Sequence, residues 1–65
     1  MNFFAALEAV FNNKKVSGSD WPSQTYIYLT WDGKVWIHNE DGADSPWQLT
    51  KADYFVDDWH IWRPH

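Results

Sequence analysis

Phe3, Leu7 and Val10 recur at helical spacing along NFFAALEAVFNN, as do Phe4 and Phe11, so the chain opens on a short amphipathic helix. Asn2 suits its N-cap, and Asn12-Asn13 offers a residue able to take the left-handed conformation that ends a helix. Ala5, Ala6 and Ala9 allow close packing, and Glu8 is the only charge. This segment reads as a lid on a core, without chemistry of its own.

The pattern then changes period. KKVS reads as a short strand and GSDWPS as a loop. In TYIYLTWDGKVWIHNEDG, two β-rich runs flank Asp32-Gly33, a dipeptide suited to a two-residue type I′ hairpin. That turn sets Trp31 opposite Lys34, Leu29 opposite Trp36 and Ile27 opposite His38. On the other face, Tyr26, Tyr28 and Thr30 meet Asn39, Ile37 and Val35. Both faces are then largely apolar or aromatic, whereas a single helix can cover only one. A second copy of the chain is therefore expected over the other.

NEDGADS reads as a polar turn region, and Thr50 with Asp53 resembles a capping box that predicts a helical turn from Lys51 to about Asp57. WHIWR closes the chain as a strand, with Trp59, Ile61 and Arg63 on one face and His60 and Trp62 on the other. The expected fold class is α+β. It is a single domain over residues 1–65, with one N-terminal amphipathic helix on a small antiparallel sheet and a short helical turn before the last strand.

Sixty-five residues bury only about 60% of the surface the unfolded chain exposes, which makes oligomerisation the expected source of added stability. The absence of cysteine rules out disulfide staples and thiolate metal sites and suits a reducing cytosol. No apolar run approaches the ~20 residues of a membrane span, and the first ten residues lack a basic leader. A complete cytoplasmic chain with no membrane partner is the expectation. A net charge of −4, with Lys14, Lys15, Lys34, Lys51 and Arg63 dispersed, argues against polymeric nucleic acid. A small nucleotide remains within reach, because one or two cations and backbone N–H groups hold a single phosphate.

Catalytic chemistry finds little support. The serines lack a nucleophile elbow, and no Gly-rich phosphate cradle is present. Asp57, Asp58 and His60 could be drawn as a metal site, but neighbours on a strand point to opposite faces. No enzyme activity, metal or cofactor is expected. The aromatic residues offer more: Trp21 precedes Pro22 and Trp47 follows Pro46, both in loops where periodicity asks for no core residue. A base stacked on an aromatic ring gains about 1–3 kcal/mol, and an adjacent Asp or Asn accepts hydrogen bonds from a purine amino group or a ribose hydroxyl.

The order of these motifs, ALEA in the helix, KKV, SGSDW, Tyr-Ile-Tyr and then PWQLTKADYFVDDW, resembles the second Thoeris anti-defence family of phage proteins. The matching residues are Ala6, Leu7, Glu8, Lys14, Lys15, Val16, Trp21, Tyr26, Ile27, Leu29, Pro46, Trp47, Asp53, Asp58 and Trp59, spread over nearly the whole chain. The chain departs from the family's pattern in two places: Gly18 stands near the position of an Arg, and the segment before Pro46 is short. The resemblance implies a small homo-oligomer, usually a tetramer, that sequesters cyclic ADP-ribose isomers or cyclic dinucleotides without cleaving them. The expected ligand-binding residues are Trp21 and Trp47 as stacking faces, Asp53 and Asp58 as polar partners or loop organisers, and with them Tyr26, Lys14 and Lys15. A phage module that grips a host protein through its aromatic surface is the alternative.

Overall fold

A computed structural model describes residues 1–48 and 58–63. Helix α1 spans Phe3–Phe11 and begins as its sequence demands: the Asn2 side chain accepts from the Ala5 N–H at 2.9 Å. It ends with Asn13 at φ 65°, where the Asn13 N–H donates to Val10 O and the Lys14 N–H to Ala9 O. These two bonds satisfy carbonyls that the last turn leaves open.

Among the described residues, five antiparallel strands follow: β1 (Val16–Gly18), β2 (Tyr26–Leu29), β3 (Val35–His38), β4 (Asp44–Pro46) and β5 (Trp59–Ile61), in the sheet order β4-β3-β2-β1-β5. The α+β class is as the sequence predicts. The expected helical turn from Lys51 to Asp57 lies outside the described residues. Among the described residues, no helix is long and apolar enough to cross a membrane.

The hairpin register differs from the expected one by one residue. Tyr26 pairs with His38, Ile27 with Ile37, Tyr28 with Trp36 and Leu29 with Val35. The connection is a three-residue loop, Trp31-Asp32-Gly33, closed by Gly33 N–H to Thr30 O (3.0 Å) and Thr30 N–H to Lys34 O (2.7 Å), with Gly33 at φ 83°. Thr30 favours this loop because its hydroxyl oxygen accepts from the Lys34 N–H and the hydroxyl also bonds the Asp32 carboxylate. A one-residue change moves every side chain of one strand to the opposite face. Here it sorts the faces: Ile27, Leu29, Val35 and Ile37 share one, and Tyr26, Tyr28, Trp36 and His38 the other.

Of residues 39–45, expected as a polar turn region, 39–43 hold a second loop of the same build, whereas Asp44 and Ser45 already belong to β4. Asn39 N–H donates to Ala43 O, Gly42 N–H donates to Asn39 O, and Gly42 lies at φ 88°. The edge strand β4 carries Pro46, which has no N–H to leave unpaired there.

Helix α1 packs over β5, β2 and β1. Phe3, Ala6 and Val10 from the helix join Val16, Ile27 and Trp59 in a core where Trp59 is 1% exposed. The aliphatic face of the hairpin continues this core outward, with Leu29, Val35 and Ile37 partly buried against it, as is Ile61 of β5. The aromatic face lies on the side away from the helix.

Candidate functional site

On the helix side of the sheet, toward β3 and β4, an open cleft of about 610 Å³ is bordered by Trp21 and Trp47. Trp21 comes from the β1–β2 loop, which is fixed at several points. Ser19 N–H donates to Asp58 O at 3.0 Å, Trp21 N–H to Gly18 O at 3.1 Å, and the buried Ser17 hydroxyl to Thr25 O at 2.8 Å. The Trp21 ring lies over Gly18, where an added Cβ would come within 3.2 Å of its Cδ1 and Nε1 atoms. Trp47 leaves the end of β4 with its N–H donating to Val35 O at 3.1 Å and its ring centroid 6.4 Å from that of Phe3.

Both tryptophans are half-buried against the edge of the core, so each has one part holding the fold and another facing the cleft. Between them lie Thr25, Ile37 and the second Asp-Gly loop, with Asn39, Glu40 and Asp41, and Pro22, Pro46 and Gln48 complete the lining. The Asp41 carboxylate also accepts from the Ala43 N–H at 3.0 Å, which fixes the loop's shape.

Other expected ligand residues lie elsewhere. Tyr26 is on the aromatic face, its ring 4.4 Å from Trp62 and stacked on His38 at 5.0 Å, with Lys15 Nζ 5.0 Å above it. Tyr26 and Lys15 thus form a group separate from the Trp21–Trp47 cleft. Lys14 is exposed after the helix, and its N–H closes the helix end. Asp58 is exposed and contributes its carbonyl to the Trp21 loop. Asp53 lies outside the described residues.

A second cavity of about 350 Å³ opens on the other side of Trp21, lined also by Ser17, Ser23, His60, Trp62 and Arg63. The Trp62 indole N–H donates to Ser23 O at 2.7 Å and so fixes one of its walls. On the aromatic face, burial and a hydrogen bond to Asp44 raise the Tyr28 phenol above its ordinary pKa. Asp44 also meets His38 Nδ1 at 2.5 Å, joining β3 to β4 through side chains. Among the described residues, no group of three or more His, Asp or Glu side chains gathers as a metal site would require. Asp57, the third member of the arrangement weighed from sequence, lies outside them.

Sequence reasoning missed Asn39, Glu40 and Asp41. The signal was present in NEDGA, which repeats the polar-x-Asp-Gly pattern of TWDGK and therefore its loop.

A family model described as Tad2-like, the Thoeris anti-defense 2-like domain, matches residues 1–62. No curated protein matches the chain.

Proposed function

The chain belongs to the Thoeris anti-defense 2-like family and so has a phage anti-defence role; from that premise we propose that it acts by binding and sequestering a cyclic nucleotide immune signal. The observation that carries this reading is the cleft between Trp21 and Trp47. Two indoles on separate loops border a volume within the range of small-molecule sites, roughly 300–1,000 Å³. A base stacked on either gains about 1–3 kcal/mol. Asn39, Glu40 and Asp41 supply acceptors for base amino groups and ribose hydroxyls.

Capture leaves the ligand intact in this proposal. The cleft is open in one chain, and a second copy would enclose the ligand. Homo-oligomerisation, with a tetramer as the expected size, would also cover Tyr28 and Trp36 on the aromatic face. The site of action would be the host cytoplasm.

A second reading draws on Trp31, which is 99% exposed at the hairpin tip. A lone exposed indole is the kind of group that seats in a pocket of a partner protein. Thermal shift with a panel of cyclic ADP-ribose isomers and cyclic dinucleotides separates the two. A ligand at 100 times its dissociation constant adds about 2.7 kcal/mol to stability and should be recovered chemically intact. If no member of the panel raises the melting temperature, sequestration fails and the protein-binding reading stands. If the ligand returns altered, the protein is an enzyme.

A further inference from the structure

Trp21 is a wall of both cavities, and their charges differ. On the Trp47 side the described lining carries Glu40, Asp41 and Asn39 and no cation. On the Trp62 side it carries Arg63 and His60 and no carboxylate. A phosphate placed on the first side faces two carboxylates at short range, whereas on the second it meets a guanidinium whose planar fork matches phosphate oxygens. An amino-bearing base has the opposite preference. Its amino group donates to carboxylates and carboxamide oxygens and finds no acceptor on an arginine, which only donates.

The geometry points to a polarised nucleotide track that runs across Trp21, with the base and ribose hydroxyls on the Asn39–Asp41 side and the phosphates on Arg63. This rests on the nucleotide reading above and deepens it by setting the ligand's direction. It gives the phosphate to Arg63, a residue just beyond the stretch that the family model matches, and leaves Lys15 over the Tyr26 and Trp62 rings. Trp21 serves as the shared partition, placed by its contacts with Gly18 and Trp59. The implied ligand class carries both an amino-bearing base and a phosphate or pyrophosphate.

Calorimetric titration of the full chain with cyclic ADP-ribose and cyclic di-AMP tests this, comparing wild type, Arg63→Gln and Glu40→Gln at low salt and at about 1 M salt, where screening acts within roughly 3 Å. Arg63→Gln should weaken binding by on the order of tenfold at low salt, the scale of one charge-assisted contact. The deficit should shrink at high salt, while the melting temperature of the free protein stays unchanged because Arg63 is exposed. Glu40→Gln should weaken binding by an amount that salt changes little. Arg63→Gln binding as tightly as wild type, or a deficit equal at both salt levels, overturns the track and leaves the cleft assignment intact. Failure of wild type to bind either probe overturns the nucleotide reading itself, and the track with it.

Discussion

The indole of Trp21 meets that of Trp59 edge to face, with ring centroids 5.0 Å apart and planes at 79°. One ring is 1% exposed in the core, and the other borders the cleft. The candidate site is therefore built directly on the core, with no intervening layer. Trp59→Ala should cost about 3–5 kcal/mol and leave the chain largely unfolded by circular dichroism. Trp59→Phe should keep the fold but loosen Trp21, seen as weaker ligand binding in a protein of native circular dichroism. A Trp59→Ala variant that melts like wild type would contradict this account of the core.

Trp47→Ala should separate folding from binding less cleanly than a purely loop residue would. Its half-buried ring near Phe3 contributes about 1–2 kcal/mol to stability. Loss of stacking should weaken ligand binding by about 10- to 100-fold, equivalent to about 1.4–2.8 kcal/mol. Urea denaturation and calorimetry on the same variant give both values. Unchanged affinity in the folded variant removes Trp47 from the clamp.

The register assigns Tyr28 and Ile37 different fates, although the expected hairpin placed them on one face. Ile37 packs toward the core and Tyr28 lies on the aromatic face. Tyr28→Glu or Trp36→Glu should dissociate an assembly while each chain stays folded, whereas Ile37→Glu should unfold the chain by burying a charge. Light scattering coupled to size exclusion reads the first effect and circular dichroism the second. A wild type that is monomeric at micromolar concentration refutes the proposed self-contact.

Titration at the hairpin has a defined sign. The Thr30 hydroxyl holds the Asp32 carboxyl below its ordinary pKa. Its stabilising effect is thus complete above about pH 4, the value in the unfolded chain, and is lost as pH falls through the lower folded value. Tyr28 behaves oppositely: its raised pKa favours the folded state below about pH 10, and that contribution disappears as the phenol ionises. Urea midpoints measured from pH 6 to pH 2.5 should fall less steeply for Asp32→Asn than for wild type. Gly33→Ala should cost about 1–2 kcal/mol at any pH, because φ 83° disfavours a Cβ. Equal acid slopes for Asp32→Asn and wild type would dismiss the hydrogen bond as a stabilising element.

Much of this fold is legible locally. The Asn2 cap, the left-handed Asn13 and the Asp-Gly hairpin each depend on a few adjacent residues, and each is where the sequence places it. The register was harder to read because Asp-Gly serves both two- and three-residue loops, and Thr30 decides between them through its hydroxyl. Hydrophobic sorting would have decided it too, since pairing Tyr26 with His38 gathers Ile27, Leu29, Val35 and Ile37 on one face. Strand β4 has no β-prone residue, and its pairing comes from the loop that precedes it. Trp21 and Trp47 stand out in the sequence beside their prolines, but their meeting at one cleft depends on the whole sheet order.

That sheet order also has a kinetic consequence. Strands β2, β3 and β4 are joined by three-residue loops and can pair within microseconds. Strand β1 pairs with β5, setting Val16 opposite Ile61 and Gly18 opposite Trp59, so the last seam joins segments 41 to 45 residues apart in sequence. Loop-closure entropy delays that seam. Substitutions in the Asp-Gly loops should therefore slow folding, whereas substitutions at Trp59 should chiefly hasten unfolding. The Trp21 loop gains its Ser19–Asp58 hydrogen bond only when this closure occurs, so the Trp21 wall is the last part of the candidate site to be fixed.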